Sequence, residues 1–142
     1  WNKDYSNYDK WLNFGSIQRL SNRKLSLVCP RQLDKFTVSV DNGNGKLTYP
    51  VGMITAEEMA YAGAVIWQTN TSYYLYNGVH NWSFSPSTFY IWFASEFLLV
   101  SSGYFGNTYV AGSLGGRPVV SLKQGIAVAS GSGTSSSPYV IQ

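Results

Sequence analysis

The chain has 142 residues, enough for one domain with a real core and too few for two comfortable ones. Charged side chains make up 12% of it, against a usual ~25%, and the net charge is +3. Eight bases precede residue 50, but Asp4, Asp9, Asp34 and Asp41 lie among them, so the dense basic face of a nucleic-acid binder is excluded.

In chain order, residues 7–20 read as a short helix, with Trp11, Phe14 and Ile17 about three apart and Lys10 and Arg19 for the wet side. Residues 25–40 alternate as a strand through Leu25, Leu27, Phe36, Val38 and Val40, broken at Cys29-Pro30. Asp41-Asn42-Gly43-Asn44-Gly45 reads as a tight turn, since Asn and Gly tolerate positive φ. Leu47, Tyr49 and Val51 then resume the alternation.

The strongest helix signal starts at Thr55. Thr55-Ala56-Glu57-Glu58 is a capping box, and Ile54 and Met59 can close a hydrophobic staple across the first turn. With Met59, Ala62 and Ile66 on one face, the spacing predicts a helix over 55–67.

Short strands and turns follow. Tyr73–Tyr76 leads into the turn dipeptide Asn77-Gly78; Trp82 and Phe84 precede a break at Ser85-Pro86; Phe93–Val100 alternates up to the turn Ser101-Ser102-Gly103. Further strands are expected near Tyr104–Val110, Val119–Leu122 and Pro138–Ile141, the last after an ordered loop over the Ser/Gly-rich segment 130–137. Two helices followed by many antiparallel strands predict an α+β domain over residues 1–142. The start at Trp1 reads as a mature or trimmed domain whose targeting signal lies outside the sequence.

The lone Cys29 excludes an internal disulfide and a cysteine-cluster metal site, and beside Pro30 it reads as a small buried hydrophobe. His80 is the sole histidine, and no G-x-S-x-G elbow is present. Glu57 and Glu58 fit a helix N-terminus, where the dipole favours carboxylates. Glu96 is the one acid after them, so the two facing carboxylates of glycosidase chemistry are missing there, as are the several of a calcium site. No cofactor, metal or catalytic residue is expected, and a hydrolase using Glu96 with His80 is the least favoured alternative. Arg117, between Gly116 and Pro118, is expected to pin loop carbonyls with its fork of donors.

Met59 through Ser95 contains no Asp, Glu, Lys or Arg, yet it is crowded with Tyr, Trp, Phe, Ser, Asn and Gly. Polar residues interrupt every apolar run, so no membrane insertion is expected. Rigid aromatics combined with small adaptable polar groups are what paratopes use. If Phe97 and Leu99 face inward, Leu98 and Val100 face outward, where an ordinary surface strand carries polar groups. An exposed apolar face of that kind signals a partner site. The ligand-facing set is therefore His80, Asn81, Thr88, Tyr90, Ile91, Phe93, Ser95, Leu98, Val100, Tyr104, Asn107 and Tyr109, and Trp82 is expected to be a core aromatic.

An ordered set of motifs spans most of residues 25–142: Leu47 to Glu58, Tyr73 to Gly78, Trp82 to Pro86, Gly116 to Val120, Gly131 to Thr134 and Pro138-Tyr139. By these the chain resembles bacterial and phage surface domains with a C-type-lectin-like fold, related to the formylglycine-generating-enzyme group. The group includes variable proteins diversified by retroelements that mutate adenines. The resemblance implies a C-type-lectin-like α+β fold, with Trp82, Pro86, Gly116 and Arg117 as scaffold and a ligand-binding region over 82–120. It imports neither sugar binding through calcium, whose motifs are absent, nor oxidase activity, which needs paired cysteines. Randomising the first two bases of an Asn-type codon cannot give Trp, Lys, Glu, Gln or Met, and from His80 to Pro118 only Trp82, Trp92 and Glu96 are of those types.

The function expected is non-enzymatic, receptor-binding or adhesin-type display toward a protein or glycan on a cell surface. The setting is extracellular, on a cell or a phage virion, with an oligomer allowed. The main alternative is an assembly module of a pilus or phage tail whose aromatic patch packs a sister subunit.

Overall fold

The computed structural model describes residues 12–28, 36–37, 45–46, 48–49, 51–90, 93–120, 122, 125–134 and 136–142. Cys29-Pro30, the Asp41–Asn44 part of the expected turn, Ile91, Trp92 and the first five residues of the expected helix 7–20 lie outside them. The described elements are β1 (Leu12–Asn13), α1 (Gly15–Ser21), β2 (Phe36–Thr37), β3 (Gly45–Lys46), β4 (Val51–Met53), α2 (Ala56–Tyr61) and β5 (Asn81–Tyr90). There follow β6 (Phe93–Leu99), β7 (Phe105–Tyr109), β8 (Gly115–Gly116), β9 (Pro118–Val120), β10 (Val128–Ser130) and β11 (Val140–Ile141).

The central sheet runs β1-β5-β6-β7, antiparallel throughout, with β8 added parallel to β5. Its backbone is the long β5–β6 pair, whose register extends from Asn81↔Leu99 to Tyr90↔Phe93. The break expected at Ser85-Pro86 does not end β5. Pro86 lies opposite Glu96 with register shifts on both sides of it, so the missing N–H is absorbed in a bulge instead of terminating the strand. Among the described residues three two-stranded pairs accompany it: β4 with β9 and β10 with β11, both antiparallel, and β2 with β3, parallel.

β1 and β8 occupy the two ends of the β5 edge that faces away from β6. Between them the edge is closed by the helices. The Phe84 amide donates to the Ile54 carbonyl at 2.8 Å, and the Ala56 amide, at the start of α2, donates to Ser85 Oγ at 2.9 Å. Ser16 Oγ of α1 donates to the Pro86 carbonyl at 2.6 Å. Glu57 is buried there, paired with Arg19 of α1 and reached by Ser85 Oγ at 3.4 Å. The inward serines Ser83, Ser85 and Ser87 are all buried, which lets helix backbone approach the strand closely.

The core lies on one face of β6–β7, where Phe97, Leu99 and Phe105 are essentially inaccessible. Ile54, Ala56, Met59, Leu20, Ala64 and Tyr73 cover them. The capping box forms as the sequence indicates: the Glu58 amide donates to Thr55 Oγ1 and the Thr55 amide to Glu58 Oε2. Such a cap stabilises by about 1 kcal/mol. Ile54 and Met59 are both buried beside it.

The expected α+β, C-type-lectin-like arrangement is not what the chain adopts. The described residues are mostly β, some 40% strand against 12% helix, built on a curled antiparallel sheet. The expected helix 55–67 stops at Tyr61, because Gly63 turns the chain at φ +114° and a Cβ there would meet Tyr73 Cβ at 2.8 Å. Ile66, counted on the helical face, instead bridges Phe105, and Thr69 bridges Tyr104. Over its described residues the expected helix 7–20 is helical from Gly15, because Leu12 and Asn13 pair with Phe89 and Thr88 as β1. Tertiary pairing overrode helical spacing at both places. The Tyr73–Tyr76 segment forms no strand, and its Tyr73 ring serves the core.

Candidate functional site

Strand alternation decides what β6 and β7 present. Cross-strand partners share a face. Leu98 opposite Gly106 and Glu96 opposite Thr108 therefore share one, while Phe97 opposite Asn107, Leu99 opposite Phe105 and Ser95 opposite Tyr109 share the other. The core uses only one end of the second face.

A hollow of about 330 Å³ is lined by His80, Leu98, Val100, Tyr104, Asn107, Thr108 and Leu114. Leu98, at 5% exposure, forms its floor and Tyr104, at 37%, an outer wall. Tyr104 owes its pose to Gly106, whose missing side chain lets the ring lie against the strand. His80 is exposed at the rim, with its Nε2 3.1 Å from Ser101 Oγ in the β6–β7 turn. Among the described residues no group hydrogen-bonds the other ring nitrogen.

A second hollow of about 240 Å³ is lined by Thr88, Ser95, Asn107, Thr108 and Tyr109. It lies where the apolar core layer stops, beyond Phe97 on the same sheet face. Asn107 Nδ2 donates to Ser87 Oγ, which turns the amide toward β5. The Tyr109 ring packs on Phe93 with centroids 4.7 Å apart and planes tilted by 36°. Both rings are roughly half exposed.

Eight of the twelve residues expected to face a ligand thus line one hollow or the other. Alternation divides them between the two faces of the sheet, and the two hollows adjoin along β7, where both are lined by Asn107 and Thr108. Four are buried, contrary to the expectation that they are exposed: Asn81, Thr88, Ser95 and Leu98. Asn81 serves the Asn77-Gly78 turn, donating to the Val79 carbonyl at 2.9 Å and to Asn77 Oδ1 at 3.2 Å. Thr88 and Ser95 are sunk in the β5–β6 pair at the bulge, and Leu98 is walled in by its neighbours. Tyr90, Val100 and Asn107 are half-buried; His80, Phe93, Tyr104 and Tyr109 are exposed; Ile91 lies outside the described residues.

Thr108 and Leu114 line the site without having been singled out. Thr108 was legible, since it alternates with Tyr104 and Gly106; Leu114 sits in a loop with no periodic signal. Trp82, expected in the core, is only half-buried, because it lies opposite Leu98 on the face away from the core.

No charged side chain lines either hollow. Glu96 stands nearby on the Leu98–Thr108 face, and burial pushes its carboxyl above the ordinary value. Arg117 holds the scaffold as expected: Nη1 donates to the Leu75 carbonyl at 2.6 Å, and its own carbonyl accepts from the Ile54 amide at 3.2 Å. Among the described residues no three His, Cys, Asp or Glu side chains gather as metal ligands, and no helix is long and apolar enough to cross a membrane.

No protein family, curated protein or solved structure matches the chain. The motif resemblance therefore finds no counterpart among them.

Proposed function

We propose that the chain is a non-enzymatic binding domain of the receptor-binding or adhesin type, displayed outside the cell or on a virion. It would engage a neutral protein or glycan surface through the β6–β7 region. The observation that supports this most is the pair of uncharged hollows flanking β7, with aromatic walls and amide or hydroxyl groups at the floor and rim. Such surfaces bind well because little charge has to be desolvated and the rings lose little entropy. Variation between copies of the gene is part of the proposal, since loop and rim positions around the hollows can change without touching Phe97, Leu99 or Phe105. The test is capture on arrays of cell-surface proteins and glycans, with Tyr104→Ala and Tyr109→Ala alongside the parent domain. Loss of capture by at least one folded variant supports the reading. Unchanged capture by both, or none by the parent, refutes it.

A second reading has its own support elsewhere on the molecule. Val120, Leu122, Ile126, Val128, Tyr139, Val140 and Ile141 are all exposed, several on the small β10–β11 pair. A two-stranded unit with exposed apolar faces is marginal by itself. That favours an assembly module packing a sister subunit through its C-terminal strands. Sedimentation decides: a stable oligomer lost on Val128→Lys supports assembly, and a monomer at high concentration removes it.

A further inference from the structure

Between Glu58 and Arg117 the chain has a single Asp, Glu, Lys or Arg, and it is Glu96. It stands on the sheet face turned away from the core, amid uncharged neighbours. Across the strands it faces Pro86 on β5 and Thr108 on β7, and Ala94 and Leu98 flank it along β6. Trp82, opposite Leu98, and the exposed Phe84 bring two aromatic rings to the same face. Among the described residues the Glu96 carboxylate makes no hydrogen bond and no ion pair. Burial alone raises its pKa, with no cation acting on it. The residue is only half-buried, so the carboxylate is within reach of a partner. Leu98 and Thr108 also line the larger hollow, which places Glu96 at its border.

We infer that Glu96 anchors an arginine side chain of a protein partner, with the guanidinium on the carboxylate and the stem laid over Leu98 toward the larger hollow. The inference rests on the proposed binding function and adds one charged contact to an otherwise neutral surface. Charge complementarity selects the occupant. A partner that closes over this face takes the carboxylate out of water, and a buried carboxylate without a counter-charge is strongly unfavourable. A neutral partner bears that cost in full, whereas a cation offsets it, so the face discriminates by charge. Arginine suits the place better than lysine on two counts. Its planar fork pairs with a carboxylate through two parallel hydrogen bonds. It is also more weakly hydrated than an ammonium and stacks on aromatic faces such as those of Trp82 and Phe84. Its apolar stem can follow the sheet, since residues two apart on a strand, such as Glu96 and Leu98, lie about 7 Å apart.

The probes are the capped peptides Gly-Arg-Gly, Gly-Lys-Gly and Gly-citrulline-Gly, each titrated into the whole chain at low salt. NMR follows the Glu96 carboxyl, the Trp82 indole and the Leu98 and Thr108 methyls. The arginine peptide is expected to shift these signals in a saturable manner that added salt weakens. The lysine peptide should bind less tightly, and the uncharged citrulline peptide should not bind. Glu96→Gln keeps the shape and the fold, checked by thermal melting, and should weaken the arginine peptide roughly tenfold, as expected for a lost charged hydrogen bond. Thr108→Lys sets a competing cation opposite Glu96 and should weaken the same peptide independently. The inference is overturned if the arginine peptide shifts none of these signals, if Glu96→Gln binds it as tightly as the parent, or if the lysine or citrulline peptide matches it. Self-association of the free chain that Glu96→Gln abolishes also overturns it, by placing a second copy on the face. Array capture that depends on Tyr104 but is unchanged in Glu96→Gln sinks the arginine contact alone. Failure of both capture and arginine binding sinks the functional reading with it.

Discussion

Gly106→Ala tests how the first hollow is built. A Cβ at this position would sit 2.5 Å from Tyr104 Cε1 and 3.3 Å from Cδ1 and Cζ. Carbon atoms settle about 3.5–4.0 Å apart, so the ring must move by about 1 Å or more. The opposing atoms belong to a ring that is 37% exposed, so it can swing outward without disturbing Phe105 or Leu99. Overpacking a site that can relax this way costs about 1–2 kcal/mol, the lower part of the usual range. The cost should vanish once the ring is absent. Measured by urea unfolding, Gly106→Ala should therefore destabilise the parent but not the Tyr104→Ala background, giving a coupling of about 1–2 kcal/mol in the cycle. The displaced ring should also open the hollow and weaken any ligand held against Tyr104. An additive cycle, or a neutral Gly106→Ala, would show that Tyr104 does not lie over the strand and that the hollow has another shape.

Three further substitutions follow from the edge of β5 and the outer sheet face. Among the described residues Arg19→Met leaves the buried Glu57 carboxylate with only Ser85 and the start of α2, and should cost about 2 kcal/mol. That is less than the ~3–5 kcal/mol of a fully buried pair, because the Arg19 side chain is 42% exposed. Glu57→Gln should cost less than Arg19→Met, since the freed guanidinium can turn to water; the reverse order in urea unfolding would refute the burial asymmetry. Glu96 has a folded pKa raised above the ordinary 4.5 by desolvation. The folded state thus prefers the neutral acid, and its contribution is most favourable below the ordinary value and is lost as pH rises through the folded one. Glu96→Gln should raise thermal stability at pH 7, with the gain disappearing near pH 4; a gain that is constant with pH would contradict it.

Local signals in the sequence were reliable where they described chemistry confined to a few residues. The Thr55 capping box, the Ile54–Met59 pair beside it, the inward direction of Phe97 and Leu99, and the anchoring role of Arg117 could all be read from neighbours in the chain. Misjudged were features decided by pairing at long range. Leu12-Asn13 looks helical until β5 offers an edge, and Ile66 looks like the fourth turn of a helix until Gly63 and Phe105 draw it away. Pro86 looks like a break, but a bulge carries β5 through it. Composition pointed to the stretch that lines the two hollows, yet it carries no information on which face each residue takes. Leu98 and Tyr109 were therefore joined in one surface although the register puts them on opposite sides. The buried hydroxyl of Thr88 was counted as exposed for the same reason.

The proposed function places ligand contact around β7. Hydrogen exchange of the whole chain, with and without a partner captured from the arrays, measures this directly. Protection should rise around residues 80, 93–100 and 104–109 and stay unchanged over 118–142. Protection confined to 118–142, with 104–109 unaffected, would contradict the claim and leave the C-terminal strands as the working surface.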